Sequence, residues 1–273
     1  MIKKIAVYWD NFLYRILIKN LLKISKLGYG TIVEGAESGV NFEHIYNNQP
    51  EGRFVVGKYI DKVLLNLPAV HATRGRKEDI KRVLWNEIHN NKLRKRKTRV
   101  LDLASGGARY LRELAEEHRS GDVESVCIDK DRSCVTLGKQ LVTNEQLCGI
   151  RFFRGDVFRL NRLKEISARI SWKPNVVIAS GFFIYLNNSA VEHILEEIYK
   201  FLPLEGLVIF SSYEKLSSRK LMRKVASTSD GEEWTLYYRK PDLWRDLLHK
   251  IGYKQIFILR DQWQMNNICT ARK

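Results

Sequence analysis

The sequence has only four cysteines among its 273 residues, and none of them has a partner at metal-ligand spacing. No C-x-x-C pair occurs in the chain, and Cys127 lies in an apolar run that is typical of a buried strand. Zinc sites and disulfide frameworks depend on such spacing. We therefore expect reduced thiols in a reducing compartment and no bound metal.

Long apolar runs are also absent. No stretch of about 18 uninterrupted apolar residues exists, so the sequence predicts no transmembrane helix. The N-terminus begins MIKKIAVYWDNF, and polar residues interrupt its apolar ones at Asp10, Asn11, Arg15 and Lys19, which leaves no signal-peptide core. We expect a cytoplasmic protein, with peripheral contact at the inner face of the membrane left open.

Acidic residues are the scarcer charge. Lys and Arg number 47 against 31 Asp and Glu, a formal net charge of +16, and 44% of the residues are hydrophobic. That hydrophobic fraction is typical of a globular protein with a sizeable core. The positive surplus predicts an anionic neighbour, which can be nucleic acid, an anionic membrane surface or an acidic substrate.

Three stretches of the chain differ in character. Residues 1–97 are basic and mostly helical in pattern, and residues 98–212 alternate strand-like and helical runs. Residues 213–273 predict an irregular insertion, then a helix and two strands. The opening helix, predicted over Tyr8–Lys26, combines a wide apolar stripe with a basic face. Such a helix can pack on the following domain as a lid, which we favour, or lie on an anionic membrane. We thus expect a helical cap over 1–97 and a second domain over 98–273, with an irregular insertion after residue 212.

A strand–turn–helix pattern begins at residue 98. Thr98–Leu103 predicts a buried strand, Ala104–Ala108 a turn of small residues, and Arg109–His118 a helix. Residues without bulky side chains let backbone N–H groups approach a ligand closely. The spacing D-x-A-x-G-x-A differs from the dinucleotide pattern G-x-G-x-x-G, which favours S-adenosylmethionine (SAM) over NAD.

Acidic residues follow the next two predicted strands. Asp129 closes the strand Val123–Ile128, where a carboxylate can accept hydrogen bonds from both ribose hydroxyls of an adenosine. Asp156 follows the strand Gly149–Arg154 and can accept from an adenine amino group, with Val157 or Phe158 covering the ring.

A fourth strand, Pro174–Ala179, is followed by Ser180-Gly181-Phe182-Phe183-Ile184-Tyr185. Ligands of open α/β sheets bind beyond the carboxyl ends of the strands. We therefore expect the ends of all four strands to contribute to one ligand site.

At these residues the sequence resembles the class I SAM-dependent methyltransferases. The matching segments are RVLDLASGGARYL, VCIDKD, FRGDVF, NVVIASGFFIYL and FLPLEGLVIFSS. A closer resemblance covers nearly the whole chain. It is to a bacterial methyltransferase family that is often fused behind an α/β-hydrolase domain, on the segments SGVNFEHIYNNQPEGRFVVGKYIDKVLLN, RGRKEDIKRVL and GEEWTLYYRKPDLWRDLLHKIGY.

The resemblance implies the fold, the SAM cofactor and methyl transfer, but no particular substrate. Carried over by position, it places a group of residues around the methionine part of SAM, namely Asp102, Ala104, Gly106 and Arg109. It places Asp129 on the ribose and Asp156 near the adenine. Lys130 and Val157, which follow these two acids, are further cofactor-binding candidates. Ala108 stands where the family usually has the second glycine of the turn.

Ser180, which directly follows the fourth strand, is a further cofactor-binding candidate. Candidates for the methyl-accepting side lie after the fourth strand and in the N-terminal region. The catalytic candidates are Tyr185 and His44. The substrate-contact candidates are Tyr46, Arg53, Phe182, Phe183 and Trp234. For Phe182 and Phe183, packing in the core is the equal alternative.

We favour a small-molecule or lipid-like substrate, acidic if the charge surplus serves it. RNA methylation stays open because of that charge, although SGFFIY differs from the (D/N)PP(Y/F) pattern of exocyclic-amine methylation and no RNA-binding module is recognisable. A non-catalytic partner protein also stays open because of Ala108. A nucleotide-dependent oxidoreductase ranks last because its glycine pattern is missing.

The expected architecture is a Rossmann-like α/β fold. It has a seven-stranded, mostly parallel sheet with helices on both faces. A hairpin signal over Tyr253–Leu259 and about Met265–Ala271 predicts that the final strand is antiparallel and inserted beside the fifth.

Overall fold

The computed structural model of the chain describes residues 17–117, 121–158, 172–215, 226, 228 and 235–273. The chain divides into two compact units, Met1–His71 with Leu216–Thr235 (the N-terminal unit) and Ala72–Lys215 with Leu236–Lys273 (the sheet unit). The division therefore falls at residue 71 and not at the predicted residue 97. Its physical reason is that Ile80, Leu84 and Ile88 belong to a hydrophobic cluster of the sheet. The role of residues 1–97 as a cap stays a prediction.

The N-terminal unit is helical. Residues 17–22 form a helix, followed by α1 (Lys26–Tyr29), a π-helical turn (Gly30–Gly35), α2 (Gly39–Asn47) and α3 (Phe54–Leu65). The helix predicted over Tyr8–Lys26 is wrong at its C-terminal end, and its first nine residues, 8–16, lie outside the described ones. The helix stops because Ser25 is extended and pairs antiparallel with Gly52. The Ser25 hydroxyl accepts a hydrogen bond of 2.9 Å from the Gly28 amide, which caps α1.

The sheet unit contains seven strands in the order β3-β2-β1-β4-β5-β7-β6. They are β1 (Thr98–Leu103), β2 (Val123–Asp129), β3 (Ile150–Arg154), β4 (Val176–Ala179), β5 (Leu207–Tyr213), β6 (Lys254–Arg260) and β7 (Asn266–Arg272). The first five run parallel, and β7 is antiparallel to both β5 and β6. The predicted sheet, including the insertion of the final strand beside the fifth, is confirmed.

Helices cover both faces of this sheet. They are α4 (Pro68–Leu93), α5 (Arg109–Glu117), α6 (Arg132–Asn144), α7 (Asn188–Phe201) and α8 (Pro241–Ile251). The side chains of β1 alternate between two hydrophobic clusters, because successive residues of a strand point to opposite faces. Val100 packs with residues of α4 and α5, whereas Leu101 and Leu103 pack with residues of α7 and α8. The central parallel strands are thus buried on both sides, as parallel strands usually are.

Within the described part of the chain, no helix is both long and apolar enough to cross a membrane. The same residues contain no group of three or more His, Cys, Asp or Glu side chains placed to hold a metal ion. Cys127, Cys134 and Cys269 are buried cysteines outside any disulfide, and Cys148 is an exposed one.

Candidate functional site

The candidate site lies at the carboxyl ends of the parallel strands. The strand order reverses between β1 and β4, which pair directly, so their ends flank the topological switch point. Asp129, the last residue of β2, is in register with Arg154, the last residue of β3. The sheet therefore brings the predicted residues that follow β1, β2, β3 and β4 to one edge, where ligands of this architecture bind.

The turn after β1 has an unusual backbone. Ala104, Gly106 and Ala108 have φ values of 53°, 53° and 49°, so alternate residues of the turn are left-handed. Such alternation points successive backbone N–H groups inward and creates a concave, electropositive surface. The turn is fixed to β2, because the Ser105 amide donates to the carbonyl of Ile128 over 3.1 Å.

Asp129 is held by backbone amides on both of its oxygens. The Gly106 amide donates to Oδ2 over 2.8 Å, and the Asp131 amide donates to Oδ1 over 2.9 Å. Burial raises the pKa of Asp129 above its usual value, while these two amides act in the opposite direction. Each oxygen retains a further lone pair. The carboxylate is thus held in one orientation with acceptor capacity left on each oxygen, and its role at the ribose stays a prediction.

Asp102 is fully buried at the end of β1. Its Oδ2 accepts a hydrogen bond of 2.6 Å from the Tyr110 hydroxyl, and its Oδ1 is buried with no hydrogen-bond partner among the described residues. The pKa of Asp102 is raised to about 8, chiefly by its burial and further by the nearby charge of Asp129. The hydrogen bond from Tyr110 acts in the opposite direction and lowers the pKa. A buried acceptor without a donor suits a cationic or N–H-bearing ligand group. Tyr110 was not predicted, because its spacing is that of an apolar helix residue.

The residues that follow β3 lie in different environments, some at the candidate site and some in the hydrophobic core. Oδ1 of Asp156 accepts from the Phe158 amide over 3.0 Å, which fixes the turn. The side chain of Val157 is buried in the hydrophobic cluster on the α7 and α8 face, and the contact of this residue with the cofactor stays a prediction. Phe158, the alternative named for the same role, is 53% exposed and lies edge-on to Phe182 at 6.1 Å. Of these two side chains, the one available to cover a ring is Phe158.

The segment after β4 is fixed at Gly181. Its amide donates to the Ser211 hydroxyl over 2.7 Å, and its φ is +69°. A side chain here would collide with Arg76, because an added Cβ would lie 2.9 Å from Nη1 of that residue. Arg76 is itself 2% exposed, so a buried guanidinium lies beside Gly181 at the end of β4, next to the half-buried Ser180. Arg76 was missed because it lies in a different element, more than a hundred residues earlier.

The two phenylalanines after β4 have different environments. Phe182 is half-buried, whereas Phe183 is fully buried and packs between Phe210 and Trp244 at ring distances of 5.1 and 6.2 Å. The predicted substrate contact of Phe183 is therefore wrong, and its core alternative holds. Both lie at a short 3-10 turn (Phe183–Tyr185) that also contains the half-buried Tyr185.

That turn is anchored by Arg239, which sequence reasoning did not identify. Its guanidinium donates to the carbonyls of Phe183 and Leu186 and to Oδ1 of Asn188, the last over 2.8 Å. Arg239 is buried, and it gives the segment after β4 a defined shape.

Two cationic candidates lie near the turn after β1. Nε of Arg109 donates to Glu113 over 2.9 Å, and Glu113 is also bound by Lys77 at 2.7 Å. Arg109 is thus part of an ion-pair cluster at the start of α5, and its cofactor contact stays a prediction. Lys130 is exposed beside Asp129.

The remaining candidates belong to the N-terminal unit or lie outside the described residues. His44 is buried, with Nε2 2.7 Å from Oδ2 of Asp61, and Tyr46 stacks on Phe42 at 6.3 Å. Arg53 is exposed at the N-terminus of α3. Trp234 lies outside the described residues. The catalytic role of His44 and the substrate contacts of Tyr46 and Arg53 stay predictions.

Solved structures show which fold this is. A protein from Bordetella parapertussis, named as a possible exported protein, superposes with a TM-score of 0.73 at 19% identity, covering 95% of this chain and 87% of that one. Magnesium protoporphyrin IX methyltransferase from Synechocystis PCC 6803, with SAH bound, superposes with a TM-score of 0.58 at 14% identity, covering 86% and 94%. At these identities the likeness concerns the fold alone, which is the class I methyltransferase fold.

Sequence comparison extends the match along the chain. The protein YnbC of Escherichia coli K12 is 24% identical over 241 residues, which cover 87% of this chain. The matched region spans only 40% of the length of that relative. The family model described as "Putative methyltransferase" matches residues 6–273, which is nearly the entire sequence. By that match the chain belongs to this methyltransferase family.

Proposed function

We propose that the protein transfers a methyl group from SAM to a small-molecule or lipid-like acceptor. The observation that carries this proposal is the pair of buried carboxylates, Asp102 and Asp129, at the left-handed turn of the switch point. Family membership supports methyl transfer, and the residues at the strand ends support SAM as the methyl donor.

Each part of SAM meets a suitable group in the sheet unit. The unpartnered Oδ1 of Asp102 suits a positively charged ammonium group, because a buried acceptor gains most from a charged donor. The two oxygens of Asp129 suit the ribose hydroxyls. Asp156 and the exposed ring of Phe158 suit the amino group and the face of an adenine.

SAM supplies a methyl group on a sulfonium, which an acceptor can displace directly. The protein's own part is then to orient the reactants and exclude water, because alignment provides most of the acceleration in such a displacement. The anchored turn after β4 provides this orientation through the bonds from Arg239 and from the Gly181 amide. We assign the removal of a proton from the acceptor, where one must leave, to Tyr185 in the same turn.

An acidic acceptor is favoured by the position of Arg76. Its buried guanidinium lies beside Gly181 at the carboxyl end of β4, where we place the acceptor. A guanidinium binds carboxylate or phosphate through paired hydrogen bonds. The net charge of +16 favours the same class of acceptor and keeps RNA as the second candidate.

Calorimetric titration with SAM tests the cofactor assignment. We expect micromolar affinity for the wild type and at least about a tenfold loss in Asp129→Asn, because two hydrogen bonds to a charged acceptor are weakened. Asp242→Asn is the matched control, since the Asp242 side chain is 84% exposed, and it should bind like the wild type. Absence of SAM binding by the folded wild type would contradict the proposal and favour a non-catalytic partner protein.

A transfer assay with SAM labelled in the methyl group tests the acceptor class. The acceptor panel consists of lipid extracts, acidic metabolites and RNA. We expect label in the first two fractions. Label in RNA alone would overturn the acceptor class while leaving the cofactor assignment intact.

A further inference from the structure

Helix α3 of the N-terminal unit turns apolar side chains outward. Val55, Tyr59 and Val63 are 84%, 69% and 50% exposed, and they recur every fourth residue along the helix. Residues four apart lie on one helix face, so they form a single stripe, with Val56 beside it at 57% exposure. The opposite side of α3 carries the buried residues Gly57, Asp61 and Leu65. We call Val55, Val56, Tyr59 and Val63 the α3 apolar face.

Phe54 extends this face under backbone strain. Its ring is 82% exposed, and its φ of 58° lies in the left-handed region that disfavours a bulky side chain. The exposed ring gains little packing within the fold to offset that strain. Strained residues persist where they serve a function, and contiguous exposed apolar surface indicates an interaction site.

The exposed charged residues of α3 and its N-cap all have one sign. Arg53, Lys58 and Lys62 are exposed, while Asp61, the one acid between residues 53 and 67, is buried. Asp61 is also bound by His44 and by the amides of Leu27 and Glu51. No exposed acid on this helix therefore neutralises its three cations.

We propose that the α3 apolar face and its cations form a docking surface for an anionic lipid bilayer. Helices that lie in a membrane interface combine an apolar stripe with flanking Lys and Arg, which is the pattern of α3. Anionic lipids attract such cations at short range. A second copy of this chain is a poorer occupant, because pairing two such faces would bring like charges together.

A second exposed apolar pair in the same unit supports the proposal. Leu17 and Leu21 are 67% and 52% exposed and lie four residues apart in the helix over 17–22. For this basic N-terminal helix the sequence leaves membrane contact open as the alternative to a lid, and the structure adds α3 as a more extensive apolar surface. The proposal does not rest on methyl transfer, because binding to a bilayer is measurable without SAM.

Co-sedimentation of the full chain with vesicles tests the docking surface. The probes are vesicles of phosphatidylcholine alone and of phosphatidylcholine mixed with phosphatidylglycerol, each at low and high salt. We expect binding to the anionic vesicles only, weakened by salt. A variant with Phe54→Ser, Val55→Ser, Tyr59→Ser and Val63→Ser should lose at least tenfold in affinity, and Lys58→Glu with Lys62→Glu should lose a similar factor.

The matched control removes equally exposed apolar residues from the sheet unit. Leu204 and Phe257 are 82% and 70% exposed, so Leu204→Ser with Phe257→Ser should bind anionic vesicles like the wild type. All four α3 side chains to be replaced with Ser are exposed, and circular dichroism verifies that the variants are folded. The proposal would be overturned if the wild-type protein did not bind anionic vesicles, or if the serine variant bound them as well as the wild type does. So would a dimer in sedimentation velocity that the serine variant abolishes without any binding to vesicles.

Discussion

The Tyr110 hydroxyl donates a hydrogen bond of 2.6 Å to Oδ2 of Asp102, and both residues are buried beneath the turn after β1. Tyr110 is the second residue of α5, so this bond ties the first turn of the helix to the end of β1. It also leaves the other oxygen of Asp102 as the acceptor without a donor. The bond thus orients the carboxylate and stabilises its ionised form.

Tyr110→Phe should weaken SAM binding without greatly disturbing the fold. Loss of the hydroxyl raises the pKa of Asp102 further and leaves its carboxylate less oriented, so we expect about a five- to tenfold loss of affinity. Calorimetry measures this loss. Tyr253→Phe is the control, because the Tyr253 hydroxyl makes a comparable bond of 2.9 Å to the carbonyl of Leu195 away from the site. Equal affinities of the two variants would show that the Tyr110 bond serves stability alone.

The buried Asp102 should make stability fall as pH rises. Its pKa is about 8 in the folded protein and about 4 in the unfolded chain, so between these values the folded state holds the extra proton. The free energy of unfolding should therefore fall as the pH rises from about 4 to about 8, by at most about 1.4 kcal/mol per pH unit. Urea unfolding over this range measures the decline.

Asp102→Asn removes this dependence, because an amide does not titrate. As the pH rises, the free energy of unfolding of the variant should therefore increase relative to that of the wild type. Asp129, whose pKa is also raised by burial, remains in both proteins and contributes equally. The exposed-site control Asp242→Asn should follow the wild type at every pH. A constant difference between Asp102→Asn and the wild type would show that Asp102 does not change its protonation in this range.

SAM binding should release a proton at neutral pH. Asp102 holds a proton below about pH 8, and a cationic ligand beside it favours the ionised form. Calorimetry in buffers of different ionisation enthalpy counts the protons released, and we expect up to about one for the wild type. Asp102→Asn should release fewer. Equal proton counts for the two proteins would remove Asp102 from the ammonium site.

The sheet could be predicted from sequence because its signals are local. Apolar runs, small-residue turns and an acid at a strand end each occupy a few consecutive residues, and the bounds of β1 match those predicted. For the same reason, the predicted bounds of β6 and β7 differ from the observed ones by one residue. The boundary between the units was not predictable in this way, because it depends on where α4 packs and not on its helical pattern.

The site was predictable only in part, since adjacent residues of one type can point in opposite directions. Phe182 and Phe183 are neighbours in the sequence, yet only Phe183 lies fully in the core. Val157 and Phe158 divide in the same manner. Arg76 and Arg239 reach the segment after β4 from distant parts of the chain, and no spacing pattern connects them with it.

Ala108 should tolerate replacement by glycine better than an ordinary helical alanine does. Its φ of 49° costs an alanine about 1–2 kcal/mol, which a glycine avoids. Ala115 in α5 is the matched control, because glycine there loses a methyl group and helix propensity with no strain to relieve. We expect Ala108→Gly to cost at least about 1 kcal/mol less than Ala115→Gly in chemical unfolding. Equal costs would contradict a left-handed Ala108.

Asp61 should be essential to the N-terminal unit. Its oxygens accept from the amides of Leu27 and Glu51 at 2.7 and 2.9 Å and from His44 at 2.7 Å, all around a fully buried carboxylate. Burial by itself raises the pKa of Asp61, but the bonds from His44 and the two amides outweigh it and lower the pKa. The stability it lends is therefore present above about pH 4 and is lost as pH falls through the lowered value.

Asp61→Ala removes the acceptor of three donors, which are the Leu27 amide, the Glu51 amide and His44. We therefore expect the unit to lose about 3 kcal/mol or more. Hydrogen exchange measures this locally: amides of residues 26–29 and 49–53 should exchange faster, while those of β1, β4 and β5 keep their protection. Glu51→Gln is the control, because it removes the half-exposed ion pair with Lys26 but keeps the Glu51 backbone bond to Asp61. It should cost less than about 1 kcal/mol. Unchanged hydrogen exchange in Asp61→Ala would mean that His44 is not held by this carboxylate. That result would favour the predicted catalytic role of His44.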